Sequence, residues 1–222
     1  MKELYTVNLL NLEKTIARSL FERAIFPWEV LPLLKDYIPQ LGDTLPAQEY
    51  DRPGPQTWVH KTATVAPTAL LGPRVIIGPG TQVRHCAYIR ENAIVGADSV
   101  VGNSTEIKNA VLFDGVQVPH FNYVGDSVLG HLAHTGAGVV LSNFRSDHGP
   151  VPVHHRGQRL ESGLKKFGAI LGDGADIGCN SVLNPGTVIG RHTMVYPLSM
   201  VRGTVPAGSI YKKQGEIVEK RR

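Results

Sequence analysis

The sequence predicts an all-β fold, a parallel β-helix of stacked three-sided coils that follows a short α-helical segment. Aliphatic residues recur at every sixth position over two long blocks of the chain, and small or β-branched residues lie four positions after each of them. The 222 residues include 24 Gly and 15 Pro but only 7% aromatic residues, which indicates many turns. These three observations exclude a helical bundle, because an amphipathic helix repeats its apolar residues every 3.6 positions.

The six-residue period supplies the core of the predicted β-helix. Its first block consists of Val59, Val65, Leu71, Ile77, Val83, Ile89, Val95, Val101 and Ile107. Its second block consists of Leu171, Ile177, Leu183, Ile189, Val195 and Val201. Neither an α-helix nor a flat strand keeps every sixth residue on one side through so many Gly, Pro and Asn residues. Three sides of six residues form one coil, and successive coils stack as parallel strands about 4.8 Å apart.

Interruptions of the period divide the predicted β-helix, which spans residues 59–210. The register slips by one residue between Ile107 and Leu112, and again between Val124 and Leu129. Such slips predict irregular corners, where side chains are re-aimed. After Asn143 the pattern stops until about residue 170. Residues 144–168, which are rich in His, Arg and Lys, are therefore predicted to form an extended loop outside the prism.

The segments on either side of the repeat have a different character. Residues 1–50 are predicted to form a helical cap, with an amphipathic helix over 12–25, Asn11 as its N-cap and a second short helix over 28–37. We expect these helices to cover the open end of the prism, since a terminal coil exposes apolar edges. Residues 51–58 are predicted to be a linker, and residues 211–222 a basic tail.

Composition and charge exclude several classes of function. The net charge is +4, but no basic stripe with interleaved aromatic residues indicates nucleic-acid binding. No apolar run approaches the roughly 18 residues of a membrane span, and the first residues lack the pattern of a signal peptide. The two cysteines, Cys86 and Cys179, provide neither a disulfide framework nor a zinc-binding spacing. The sequence therefore predicts a cytoplasmic protein without a bound metal.

The irregular middle of the repeat carries a more specific pattern. Residues 120–130 read His-Phe-Asn-Tyr-Val-Gly-Asp-Ser-Val-Leu-Gly. Together with residues 103–110 and 136–143, this segment resembles the acetyltransferase domain of the bifunctional bacterial enzyme that makes UDP-N-acetylglucosamine. The resemblance covers roughly residues 59–206. It implies that the β-helix is left-handed, against the general right-handed rule for parallel crossovers. It also implies that the protein is an enzyme that uses acetyl-CoA as co-substrate. The resemblance further implies a homotrimer with active sites between neighbouring prisms.

The same resemblance assigns roles to individual residues. His120 matches the general base, and imidazole suits this role because its ordinary pKa is about 6.5. The base removes a proton from the amine of an amino-sugar phosphate such as glucosamine 1-phosphate. Arg90, Lys108 and Tyr123 match the residues that hold the sugar phosphate, for which cationic donors are well suited. Asn143 matches the asparagine beside the reacting amine.

The chain also departs from the family pattern. His134 stands where the family has another asparagine of the substrate site, and we assign His134 to substrate binding. A family lysine shortly after Asn143 has no clear counterpart, and Arg145, Lys165 or Lys166 are candidates to replace it. Where the family has a nucleotidyltransferase domain, we expect only short helices in the residues before this repeat. These departures leave the acceptor sugar open.

Two alternative functions follow from the same fold. A γ-class carbonic anhydrase would need three imidazoles around zinc, and its pattern includes a His pair five residues apart that this sequence lacks. A non-catalytic sugar-nucleotide-binding protein, related to nucleotidyltransferases, remains open because the loop after Asn143 is altered.

Overall fold

The computed structural model describes residues 1–220 and confirms the predicted left-handed parallel β-helix, whose strands stack on three faces of a prism. Face 1 contains Thr57–His60, Val75–Ile77, Ala93–Val95, Ala169–Leu171, Thr187–Ile189 and Thr204–Val205. Face 2 contains Thr64–Val65, Gln82–Val83, Val100–Asn103, Gln117–His120, His134–Thr135, Asp176–Ile177, Met194–Val195 and Ser209–Lys213. Face 3 contains Leu70–Leu71, Tyr88–Ile89, Val140–Leu141, Val182–Leu183 and Met200–Val201. Glu106–Leu112 and Tyr123–Leu129 run through the corner from face 3 to face 1.

The inward aliphatic residues form a continuous core along the axis of the prism. Ile77, Ile89 and Ile107 are completely buried, and so is Leu183 in the second block. Corners between the faces use backbone in the left-handed region, as at Asp98, where φ is 52°. Asparagine, aspartate and glycine tolerate this conformation better than other residues do, which explains their frequency between the strands.

The two predicted register slips are confirmed at the corner between faces 3 and 1. Val75 pairs with Ala93 eighteen residues later, whereas Ala93 pairs with Ala110 after seventeen residues. The next pair, Ala110 and Ser127, is also seventeen residues apart. The corner residues of these shortened coils are Asn109 and Asp126, with φ values of 49° and 47°. Both slips therefore bring polar corner residues to one edge of the prism.

The N-terminal segment is helical, but in short pieces. Its 3-10 helices are Lys2–Leu4, Leu12–Lys14 and Pro27–Leu33, and its α-helices are Thr6–Leu9, Arg18–Phe21 and Leu34–Asp43. The side chain of Asn11 accepts a hydrogen bond from the Glu13 amide over 3.2 Å, which confirms the predicted N-cap. A continuous helix over 12–25 is wrong, because Thr15 is extended and the carbonyl of Lys14 accepts from the Asp114 amide of the prism.

The prediction that these helices cover the open end of the prism is also wrong. The segment lies along the outside of face 1, where Phe21 packs edge-on against Phe113 and Trp28 packs against Phe167. At the first coil, Val59 remains partly exposed beside a cavity of about 420 Å³. Burial of the apolar outer surface of face 1, where Ile76 and Ile94 are completely buried, explains this path.

Three antiparallel hairpins complete the fold. Residues 51–58, predicted to be a linker, instead belong to a hairpin in which Tyr50–Gly54 pairs with Thr57–His60. The segment 144–168 leaves the prism and contains a hairpin of Pro152–His155 and Gln158–Glu161; we call residues 144–168 the arm. Residues 211–220 are not an extended tail, because Glu216–Glu219 pairs with Ser209–Lys213. The last two residues of the predicted tail lie outside the described range.

Candidate active site

Four of the six residues that the sequence assigned to a site lie at the corner between faces 3 and 1. Ile89, Ile107 and Val124 are paired in parallel register and point into the core. The residues that follow them, Arg90 and Lys108 among them, therefore stack on the outer edge about 4.8 Å apart. Tyr123 lies on face 3 beside this column, and Asn143 follows the face 3 strand of the next coil. We call this group the corner cluster.

Asp126 is the centre of the corner cluster. Its side chain is 5% exposed. Its carboxylate accepts hydrogen bonds from the Asn143 amide over 2.5 Å and from the Asn109 amide over 2.9 Å. The Lys108 ammonium lies 3.3 Å from the same carboxylate. A buried carboxylate requires such partners, and here they include two of the assigned site residues.

A glycine lets two side chains of the corner cluster lie close to the backbone. A Cβ atom at Gly125 would lie 2.6 Å from Asn143 Nδ2 and 2.7 Å from the Tyr123 hydroxyl. Gly125 occupies the column position that follows Lys108. The absence of a side chain at this position therefore allows the Asn143 amide and the Tyr123 hydroxyl to pack against the backbone of the shortened coil.

Arg90, Glu106 and Tyr123 form the outer part of the corner cluster. Arg90 donates to Glu106 over 3.1 Å, and this bond raises the pKa of the guanidinium. The Tyr123 hydroxyl accepts from the Asn143 amide over 3.2 Å. Burial raises the pKa of Tyr123, and the nearby carboxylates of Asp126 and Glu106 raise it further. Burial and both carboxylates therefore act in the same direction, against the phenolate form.

The assigned base, His120, lies outside the corner cluster. It ends a strand of face 2, at the corner between faces 2 and 3, and is exposed together with Phe121. Its backbone carbonyl accepts from the Gly138 amide, but its ring makes no hydrogen bond within residues 1–220. The side chain is thus accessible to solvent at the corner between faces 2 and 3.

His134 also lies apart from the corner cluster. It is on face 2, where its Nδ1 atom lies 2.8 Å from a carboxylate oxygen of Asp176. The pair is partly exposed, with 42% of the His134 side chain accessible. Within one chain, therefore, the two assigned histidines do not lie at the corner that holds Arg90 and Lys108.

The arm returns to the prism at the corner cluster. The Phe167 amide donates to the carbonyl of Asn143 over 2.9 Å, and the Gly168 amide donates to the carbonyl of Asp126 over 2.8 Å. Between the start of the arm and face 3 lies a cavity of about 390 Å³, whose lining includes Arg145 and Arg202. The Arg145 guanidinium holds the pKa of Asp147 well below its usual range. The side chains of Lys165 and Lys166 are exposed near the end of the arm.

The sequence missed Asp126, Glu106 and Asn109 as members of this site. Coil spacing contained a usable signal: Asn109, Asp126 and Asn143 are spaced seventeen residues apart, and the first two are the corner residues of the shortened coils. Side chains at such positions lie on one edge of a β-helix. Within residues 1–220, no group of three or more His, Cys, Asp or Glu side chains is arranged to hold a metal ion. Nor does the described part of the chain contain a helix long and apolar enough to cross a membrane.

Comparison with known proteins confirms the resemblance found in the sequence. No family model matches the chain. It is 38% identical over 109 residues to a bifunctional sugar-1-phosphate nucleotidylyltransferase/acetyltransferase of Sulfurisphaera tokodaii, a match that covers 49% of this chain and 27% of that protein. It is 32% identical over 120 residues to the bifunctional protein GlmU of Methanococcus maripaludis, covering 54% of this chain and 29% of that protein.

The chain thus spans less than a third of the length of these two curated relatives. Among solved structures, a point mutant of AntD, an N-acyltransferase from Bacillus cereus in complex with dTDP and coenzyme A, matches 78% of this chain and 91% of its own. The identity is 16% and the TM-score is 0.37.

Proposed function

We propose that this chain is an acetyl-CoA-dependent N-acetyltransferase acting on an amino-sugar phosphate, with glucosamine 1-phosphate as the first candidate acceptor. The observation that carries the proposal is the convergence of Arg90, Lys108, Tyr123 and Asn143 at one corner of the prism. Two cations, a phenol and a carboxamide suit a ligand that carries both an anion and polar sugar groups. The names of the two curated relatives, which join a sugar-1-phosphate or GlmU activity with acetyl transfer, support the same reading.

In the proposed reaction His120 acts as general base. Its imidazole accepts a proton from the amine, whose nitrogen attacks the thioester carbon of acetyl-CoA and forms the amide bond. The C–S bond then breaks, and coenzyme A leaves as a thiol after taking up a proton. The exposure of His120 at the corner between faces 2 and 3 suits a base that meets its substrate between two chains.

A homotrimer is part of this proposal. Exposed apolar side chains mark the outer surface of face 3 and its corner with face 2: Leu70, Tyr88, Phe121, Val182, Leu198 and Met200. Clusters of this kind indicate a surface that another protein covers. Three chains in cyclic symmetry would give three equal sites, each completed by a neighbour. Light scattering on the purified protein is expected to give a mass three times that of the chain.

A thiol-release assay tests the proposed reaction. The protein is incubated with acetyl-CoA and, in separate reactions, glucosamine 1-phosphate, galactosamine 1-phosphate and glucosamine 6-phosphate. N-acetylglucosamine 1-phosphate, which has no free amine, is the matched control. We expect release of coenzyme A with at least one amine and none with the control. The absence of release with every amine, together with retained binding of a sugar nucleotide, would instead support the non-catalytic alternative.

A further inference from the structure

We infer that Asp126 is a positioning residue. It determines which groups of the corner cluster donate hydrogen bonds to the substrate and which groups accept hydrogen bonds from it. This inference rests on the proposed function and deepens it. Asp126 is 4% exposed, and its carboxylate contacts Lys108, Asn109 and Asn143. None of these contacts requires a substrate, so the arrangement is built into the folded chain.

The first consequence concerns the orientation of the Asn143 carboxamide. An ionised carboxylate only accepts hydrogen bonds, so Asp126 must face the Nδ2 atom of Asn143 and not its oxygen. The second N–H of the same group is directed at the Tyr123 hydroxyl, 3.2 Å away. Both donors of the carboxamide are therefore used inside the protein. The Oδ1 atom remains as an acceptor for a ligand, and an amine N–H is the complementary group.

The second consequence concerns the Tyr123 hydroxyl. Its oxygen already accepts a hydrogen bond from Asn143, and its own proton makes no hydrogen bond within residues 1–220. That proton is therefore available to an acceptor such as a phosphate or sugar oxygen. Asp126 thus gives two neighbouring groups opposite hydrogen-bonding roles. The Tyr123 hydroxyl is left as a donor for the anion, and the Asn143 oxygen is left as an acceptor for the amine.

The third consequence concerns Lys108, whose side chain is only 16% exposed. Asp126 holds its ammonium at 3.3 Å, and the ammonium retains further N–H groups for a ligand. A lysine fixed in this way loses less conformational entropy when an anion binds.

The environment of Asp126 differs from that of an ordinary corner aspartate. Asp98 has a similar left-handed backbone, with a φ of 52°, yet it is exposed and its side chain makes no hydrogen bond in the described part of the chain. The turn alone therefore requires neither burial nor three side-chain donors. What distinguishes Asp126 is the identity of its partners, two of which, Lys108 and Asn143, are assigned site residues.

Asp126→Asn tests the inference, because an amide can donate to Asn143 and allow its carboxamide to turn over. Asp173→Asn is the matched control: Asp173 is buried too, and it binds Arg191 and backbone amides far from the corner cluster. Asn109→Gly is a second variant, which removes one donor to Asp126 and suits the positive φ at that corner. If Asp126→Asn fails to fold, Asn109→Gly tests the role of Asp126 in its place.

Two measurements are made on all four proteins. Calorimetry compares the binding of glucosamine 1-phosphate with that of glucose 1-phosphate, and the thiol-release assay gives KM and kcat separately. We expect the wild type and Asp173→Asn to prefer the amine by about tenfold or more, as for a hydrogen bond with a charged group. Asp126→Asn should lose this preference and raise KM by about tenfold to a hundredfold, and Asn109→Gly should show a smaller change in the same direction.

The outcomes separate the two proposals. An unchanged preference and an unchanged KM in Asp126→Asn and Asn109→Gly would overturn the role of Asp126, while acetyl transfer by the wild type would still support the proposed function. A preference that is lost only in the Asp126 and Asn109 variants, without acetyl transfer by any protein, would support the role and reject the proposed function. Failure of the wild type to bind either sugar phosphate would overturn both.

Discussion

The backbone amide of Phe167 donates a hydrogen bond to the backbone carbonyl of Asn143 over 2.9 Å, so the arm ends beside the residue after which it begins. Phe167 itself is completely buried and packs against Trp28, which in turn stacks on Phe26 of the N-terminal segment. The base of the arm, the corner cluster and the N-terminal segment are thus joined through one aromatic side chain. Changes far from Arg90 and Lys108 are therefore expected to reach the site by this route.

Phe167→Ala tests this connection. Removing a fully buried phenyl ring leaves a cavity and is expected to lower the free energy of unfolding by about 3–5 kcal/mol. It should also loosen the carbonyl of Asn143 and raise KM for the sugar phosphate. Thermal unfolding and limited proteolysis of the arm measure the two effects. Phe144→Ala is the control, since Phe144 is 41% exposed in the same arm and should change the melting temperature little. Equal effects of both substitutions would contradict the connection.

Gly125→Ala is expected to damage the corner cluster while the prism stays folded. The added methyl group would meet the Asn143 amide and the Tyr123 hydroxyl at 2.6 and 2.7 Å, so one of them must move. Both side chains lie at the edge of the prism, and we expect KM to rise by about tenfold with a small change in melting temperature. Gly54→Ala is a matched control, because its nearest neighbour atom would be 3.6 Å away. Unchanged kinetics in Gly125→Ala would show that the positions of Asn143 and Tyr123 do not affect substrate binding.

The six-residue period predicted the prism well because burial in a β-helix is set locally, by each inward side chain. The path of the N-terminal segment was not predicted, although the sequence contained a signal for it. On face 1 three successive residues are apolar, as in Val75-Ile76-Ile77, and the middle residue points away from the core. Ile76 and Ile94 are nonetheless completely buried, because the N-terminal segment covers them. Such triplets predict a covered face.

The candidate site was predicted only in part, for a different reason. Arg90, Lys108, Tyr123 and Asn143 could be assigned from the resemblance to a known family. The network that holds them depends on Asp126, whose burial arises from the shortened corner and from the return of Gly168 over it. That return belongs to the arm, where the period gives no register. Long-range contacts of a non-repeating segment cannot be found from the repeat alone.

The ionisation of Tyr123 provides a test that needs no substrate. Burial is the largest cause of its raised pKa, and the carboxylates of Asp126 and Glu106 follow. The pKa of Tyr123 in the folded protein lies above the unfolded value of about 10, so this shift contributes to the free energy of unfolding. The contribution is fully present below pH 10 and is lost as the pH rises through the folded pKa. The difference between the ultraviolet titrations of the wild type and Tyr123→Phe should therefore have its midpoint above pH 10. Asp126→Asn should lower that midpoint, and a midpoint at or below pH 10 would contradict the described environment.

His120→Ala tests the assigned base against a histidine in an equivalent place. His120 pairs with Asn103 of the preceding coil. The backbone amide of the next residue, Ser104, donates a hydrogen bond to the carbonyl of His85, one coil further back. Both histidines therefore lie in one column at the corner of faces 2 and 3. If His120 is the general base, its removal should lower kcat by about 10²–10⁴, with little change in acetyl-CoA binding measured by calorimetry. His85→Ala, which loses contacts with Thr68 and Cys86 instead, should keep kcat within about threefold of the wild type. Similar losses in both variants would indicate a structural effect of the column, and an unchanged kcat in His120→Ala would remove His120 from the mechanism.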